Sequence, residues 1–422
     1  MRLKSGFFSA ALAATALFAL APVAFNLVID AYDRNDLFAL GLDKREISVK
    51  AHYPLYKMIE YPKVKAPTVI LGDSRARALQ DKYWQELGRT DVYNFAYGGA
   101  TVYEIYETFK YLRDTSKLET LIVSLPLRSM DKRFKGGMNR VPEALALAND
   151  PFAYYTNWFV AKVGWQLLQD KFPGSLPTLD MVSLSPVNAA QAADFNAVAP
   201  LSVEALLDPA LCEDCTLTTM YQPLRLPVSR RHHGWGYGQW AAYWPEINLT
   251  RDLPRLFAKQ VGTNGAADWR RFKQSEDLWA MIEEIAEWCD RNGVKLVFVI
   301  PPTISEMQRR ISDFGLARAN HDFRERLSGL GPVVDLDFDA EFSRNIENFT
   351  DAYHFGSGPA RRIVGELLLL IEDDDNRIAA ATERREDLVC PISPKDTTRS
   401  HRAGTLELLE GKSCRIWRQT NG

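Results

Sequence analysis

Two short motifs, far apart in a chain of 422 residues, hold side chains suited to acyl transfer. The first, Gly72-Asp73-Ser74-Arg75, directly follows the apolar run Val69-Ile70-Leu71; the second is Asp351-Ala352-Tyr353-His354. A serine hydroxyl is a weak nucleophile until a base within hydrogen-bond reach takes its proton. An imidazole serves as that base when a carboxylate fixes its tautomer and stabilises its charged form. The i, i+3 spacing of Asp351 and His354 lets the carboxylate turn back onto the ring within one bend of chain. The expected roles are therefore Ser74 as nucleophile, His354 as general base and Asp351 as its orienting partner. Each tetrapeptide alone has an ordinary explanation, a turn for one and a capped helix start for the other. Their joint placement, one ending a first strand and one preceding a last helix, carries the weight.

The elements that must position these residues alternate along the chain. Short apolar, largely β-branched runs predict strands at Thr68–Leu71, Val92–Phe95, Leu121–Leu125, Lys295–Ile300 and Val333–Leu336. Helical patterns lie between them, over about Ala76–Leu87, Val102–Leu112, Ser275–Arg291 and Pro359–Ile371, with Ser275 and Gly293 as expected caps of the third. Alternation of this kind predicts an α/β fold with a parallel sheet covered by helices. A serine at the carboxyl end of a first strand then projects into the crevice where such sheets bind ligands, and the following helix start aims its amides there. The rhythm breaks once. Residues 131–274, rich in Trp, Tyr, Pro and Ala, read as an insertion after the third strand, a cap or substrate-recognition region. The expected organisation is thus 1–30 as a membrane segment, 31–66 as a connector, 67–130 with 275–372 as the catalytic domain, and 373–422 as a peripheral tail.

Composition narrows the class. The chain is 46% apolar and 25% charged, an ordinary globular balance, and its net charge of -3 offers no general attraction to polyanions, so nucleic acid is not an expected partner. At the N-terminus Arg2 and Lys4 precede an uncharged, largely apolar run from Gly6 to Ile29, long enough as a helix to cross ~30 Å of hydrocarbon. Basic residues before the run and Asp30 and Asp33 after it place the bulk of the protein outside the cytoplasm. A cleaved signal peptide competes with a retained anchor here, since Ala19-Leu20-Ala21 resembles a cleavage site; Pro22 and the continuing apolar stretch favour the anchor. Among the five cysteines, Cys212 with Cys215 reads as a short disulfide loop and Cys390 with Cys414 as a second bridge, leaving Cys289 as a buried free thiol. No glycine-rich phosphate loop is present, and neither cofactor nor metal is expected.

The order Gly-Asp-Ser near the start, a glycine after the second strand and Asp-x-x-His near the end resembles the SGNH (GDSL-like) hydrolase superfamily. The resemblance spans about Pro67–Leu118 and Val294–Ile371 in scattered motifs. It implies a flavodoxin-like three-layer α/β/α sandwich and a Ser74, His354, Asp351 triad. It also implies an oxyanion hole from the backbone amides of Ser74 and of Gly98 or Gly99. The family's third block normally supplies an asparagine; the equivalent stretch here, Val123 to Asp131, has none, with Asn139, Arg128 and Ser129 as substitute donors. An N-terminal anchor, Gly-Asp-Ser-Arg and the sequence Ile300-Pro301-Pro302-Thr303 look like a periplasmic subgroup that accompanies membrane-bound O-acyltransferases in acetylating exopolysaccharides or other envelope glycans. The implied substrate is an acylated glycan, the implied partner such an acyltransferase, and the implied location the inner membrane with the catalytic domain in the periplasm. A scaffold of the same fold with weak or no catalysis, holding glycan for that partner, is the alternative.

Further candidates surround this core. Asp73, Arg75 and Tyr353 border the motifs and are candidate substrate contacts. Trp235 and Trp240, with Trp244 close by, could stack on sugar rings or equally build the insertion's own core. His232 and His233 lack a carboxylate partner for a metal. Asp335, Asp337 and Asp339 are expected to face solvent or cap the next segment.

Overall fold

A computed structural model of the protein describes residues 20–35, 37–134, 138–177, 253–372, 391–392, 404–408 and 415–419. The chain divides into two compact units, one of residues 1–65 with 138–200 and one of residues 66–137 with 201–422.

The second unit is the α/β fold that the alternation predicts. Five parallel strands, β1 (Thr68–Leu71), β2 (Val92–Asn94), β3 (Thr120–Ser124), β4 (Lys295–Ile300) and β5 (Val333–Asp335), lie in the order β2-β1-β3-β4-β5. That is the flavodoxin-like order, in which the chain steps to one side of β1 to form β2 and to the other side to form β3. Every residue of β1, β2 and β3 is buried, as a parallel sheet covered on both faces requires. On one face Ile70, Ile122, Val297 and Val334 form a core with Trp84 and with Ile363, Val364 and Leu367 of helix Ser357–Glu372. Helices Val102–Thr115, Glu276–Arg291 and Ala317–Leu330 make the other layer, with Phe109 against Trp288 at 5.4 Å and Trp279 against Phe323 at 5.8 Å between ring centroids.

Local chemistry sets the element ends that matter. Thr101 and Glu104 form a reciprocal capping box, each side chain accepting from the other's backbone N–H at 3.3 Å, which starts helix Val102–Thr115 just after Gly98-Gly99. The single helix expected over Ala76–Leu87 is instead a 3-10 turn, Ala76–Ala78, followed by helix Asp81–Glu86. Buried Asn94 explains the break: its side-chain amide donates to the carbonyls of Ala76 and Leu79 at 2.8 Å, taking up acceptors that a continuous helix would have used itself. Pro391–Ile392 (β6) adds to the edge of β5 antiparallel, and Gly404–Leu408 (β7) pairs with Arg415–Gln419 (β8); the tail thus holds strands that the sequence pattern did not announce.

The first unit is helical: 20–29, Lys44–Ala51, Tyr53–Val64, Val141–Asn149, Pro151–Tyr155 and Trp158–Lys171. This corrects the reading of 31–66 as a connector and of 131–274 as one insertion. Leu55, Met58, Ile59 and Tyr61 are buried, so 44–64 forms core with the helices after Met138. The far end of the supposed insertion belongs to the sheet unit. Leu253, Phe257, Ala258 and Val261 enter the core beside Ile70 and Val297, and Asp131 bridges Gln274 where the excursion closes. No helix among the described residues is long and apolar enough to cross a membrane; most of the Gly6–Ile29 run lies outside those residues.

Candidate active site

Ser74 occupies the switch point of the sheet. The chain steps to one side of β1 to form β2 and to the other to form β3, and a sheet wound this way has its ligand crevice at the carboxyl end of that point. Gly72 makes the tight exit from β1. Its φ is +151°, and a Cβ on it would sit 2.7 Å from Ala76 Cβ and 2.8 Å from Ser124 Cβ, so no larger residue fits between β1 and β3. Asp73 and Arg75 bind each other rather than the crevice: Arg75 N donates to Asp73 Oδ1 at 2.9 Å and Arg75 Nη2 to Oδ2 at 2.7 Å. Burial opposes ionisation of Asp73, but the charge and hydrogen bonds of Arg75, with His354 nearby, outweigh it and hold the carboxyl below its ordinary range. The pair locks the turn that presents Ser74.

Across the crevice, Asp351 organises its own loop. Its Oδ1 accepts the backbone N–H of Tyr353 at 2.8 Å and of His354 at 3.0 Å, while Oδ2 lies 2.8 Å from His354 Nδ1. His354 Nε2 lies 2.8 Å from Ser74 Oγ, a contact between residues 280 positions apart. With Nδ1–H donating to Asp351, Nε2 is left to accept from the serine hydroxyl, the tautomer a general base needs. Burial of Asp351 works against its charge, yet the hydrogen bond and charge of His354 and the two backbone donors pull its carboxyl below the usual range. It stays an anion wherever the imidazole has to become a cation. The His354 side chain is 38% exposed, so a substrate can reach it from solvent.

A brace from outside the motifs holds this loop. Asp268 sits in helix Gly265–Trp269, which follows the π-helical turn Gln260–Asn264. It accepts from the hydroxyl of Tyr353 at 3.0 Å and pairs with Arg128 Nε at 2.8 Å. Gln260 Oε1 accepts the backbone N–H of Ala352 at 2.7 Å. Tyr353, expected to touch substrate, therefore spends its hydroxyl inside the protein, and burial next to Asp268 drives its pKa well up. Neither Asp268 nor Gln260 was legible as a site residue. Both lie at the end of a segment without a strand-helix rhythm, and no spacing ties them to the motifs.

Gly98 and Gly99 form the turn after β2, Gly99 at φ +67°, at the same carboxyl edge of the sheet as Ser74; Tyr97 N–H donates to Gly72 O at 3.0 Å and ties the two loops together. Arg128 follows β3 at that edge, 40% exposed and aimed by Asp268. Asn139 belongs to the helical unit, where its Oδ1 accepts from Val141 N–H at 3.2 Å. Asp335 does not face solvent: it is buried against Arg324 at 2.8 Å. Asp337 accepts from Thr303 Oγ1 at 2.6 Å and Asp339 pairs with Arg344 at 2.9 Å, which gives all three a structural partner. Cys289 is buried as expected, and burial pushes its thiol up to about 12, so it is inert. Trp235, Trp240, Trp244, His232, His233 and the other four cysteines lie outside the described residues. No protein-family model matches the chain, and no curated protein matches it either.

Proposed function

We propose that the protein is an exported serine esterase or O-acyltransferase of SGNH type that works through an acyl-Ser74 intermediate on an acylated glycan. The observation that carries this reading is the hydrogen-bonded series Ser74 Oγ, His354 Nε2, His354 Nδ1 and Asp351 Oδ2, each contact 2.8 Å, at the switch point of a flavodoxin-like sheet. In the first half-reaction Ser74 Oγ bonds to the acyl carbonyl carbon as its proton passes to His354 Nε2. The ester C–O bond then breaks, and the departing alcohol oxygen takes that proton. Water, or a sugar hydroxyl, repeats the sequence on the acyl-serine and releases acid or a new ester. The amides of Ser74 and of Gly98 or Gly99 are the proposed donors to the oxyanion. With the apolar run that begins at Gly6 as a single-pass anchor, the proposed location is the inner membrane with the site in the periplasm, and a membrane-bound O-acyltransferase is the proposed partner.

Covalent labelling of the full chain by a serine-directed fluorophosphonate, with turnover of p-nitrophenyl acetate, tests this. Wild-type protein is expected to label at Ser74 and the folded Ser74→Ala variant not at all. Wild-type protein that binds glycan yet neither labels nor turns over the ester supports the non-catalytic scaffold instead.

A further inference from the structure

Among the described residues, the large apolar side chains that are exposed fall almost entirely in the helical unit; only Leu87 and Leu256 belong to the sheet unit. Leu20 and Val28 lie on helix 20–29, which contains no charged residue, and Phe152 and Trp158 lie on the elbow bonded to it. Asn26 and Ile29 are buried in the unit, whereas Leu20, Ala24 and Val28, spaced four apart and thus on one face, are exposed. The Asn26 side-chain amide donates to the backbone carbonyls of Tyr155 at 2.8 Å and Asn157 at 3.1 Å, which seats the elbow between helices Pro151–Tyr155 and Trp158–Lys171 on this helix. That elbow carries Phe152, 77% exposed, and Trp158, 51% exposed. Helix 20–29 thus turns one apolar face outward, and the elbow bonded to its Asn26 side carries two open aromatic rings, apolar surface that water does not favour.

The chain itself indicates what covers it. Residues 6–19, immediately upstream, have no charged side chain, so the apolar face of 20–29 continues an uncharged run. As a helix, residues 6–25 would span about 30 Å, the thickness of bilayer hydrocarbon. Asn26 then comes at the boundary, where its polar amide is bonded to protein carbonyls rather than turned toward lipid.

We propose that the Phe152/Trp158 elbow is an interfacial membrane contact, resting at headgroup level beside the point where the 6–25 segment leaves the bilayer. Aromatic rings are favoured at that depth because the acyl boundary takes their apolar area and the headgroups meet the indole N–H. The contact holds the helical unit against the membrane at a second place besides the tether. The inference rests on the anchor reading of the N-terminal run and is independent of the Ser74 chemistry.

Photolabelling tests it. The full chain is reconstituted into phosphatidylethanolamine and phosphatidylglycerol vesicles containing a phospholipid with a diazirine near the headgroup end of one acyl chain, and adducts are mapped by mass spectrometry. Adducts are expected within 6–25 and on Phe152 and Trp158, and none on Leu87 or Leu256. Labelling of 6–25 with none at Phe152 and Trp158 overturns the contact while leaving the anchor intact. Absence of adducts from 6–25 removes the anchor and the contact with it. Equal labelling of Leu87 and Leu256 also overturns it, because the surface would then be no more lipid-facing than any other.

Discussion

Replacing Asp268 separates the brace from the triad it supports. Asp268 is 8% exposed, and its carboxylate serves two partners, the Tyr353 hydroxyl at 3.0 Å and Arg128 Nε at 2.8 Å. Burial raises its pKa, against the pull of Arg128, Tyr353 and the neighbouring arginines, so its folded value lies above its unfolded one. Keeping it ionised therefore costs stability as the pH rises, and a neutral amide avoids that cost. Asp268→Asn retains an acceptor for Tyr353 and removes the charge from the pair with Arg128, whose Nε is buried. Asp268→Leu removes the acceptor altogether, and a buried hydroxyl left without a partner costs about 1–3 kcal/mol. Tyr353 adjoins His354, so its release loosens the imidazole. Misplacement of a catalytic group by about 1 Å can cost about 100-fold in rate. The second-order rate of fluorophosphonate labelling at Ser74, read beside a thermal melt, is expected to fall about 10- to 100-fold in Asp268→Leu, with Asp268→Asn between it and wild type. A folded Asp268→Leu variant that labels Ser74 at the wild-type rate would refute the brace.

Three further outcomes are expected. Asp351→Asn should lower turnover by about 10,000-fold, because an amide favours the wrong imidazole tautomer and cannot balance its charge; steady-state kinetics with ester substrate read this. Gly72→Ala should destabilise by about 2 kcal/mol, since the new methyl has no room between Ala76 and Ser124, and a denaturant midpoint that does not move would contradict the packing. Burial, with the Arg140 charge, lowers His52 from 6.5 to about 4, so the unfolded chain takes up the proton first and stability drains away as the pH falls across that window. The gap corresponds to about 3 kcal/mol. His52→Asn keeps an acceptor for Leu55 N–H at the start of helix Tyr53–Val64 and should flatten that part of the stability curve, which urea titrations at a series of pH values would show.

Much of this protein is local, and local features are readable in the residues themselves. The runs around Ile70, Ile122 and Val297 are apolar over strand length because both their faces are covered, and that property alone announces a parallel sheet. Gly72 and Ser74, and Asp351 and His354, sit within four residues of each other because a turn and a one-bend contact are short-range devices. The 3-10 break at Leu79 was not readable, since the Asn94 amide that causes it comes from the next strand, and a side chain's choice of carbonyl leaves no periodicity. The same holds for the helical unit, whose two halves are separated in sequence by β1, β2 and β3.

From the sequence alone follow the alternation, the sheet class and the identity of the three side chains that meet. The tertiary structure alone decides that Ser74 and His354 stand 2.8 Å apart, that Asp73 and Arg75 satisfy each other, and that Asp268 and Gln260 hold the loop of Asp351 to His354. The division follows from the range of the forces involved. Backbone preference and apolar patterning act over a few residues and are written where they act, whereas hydrogen bonds between distant segments exist only once burial of the sheet has brought those segments together.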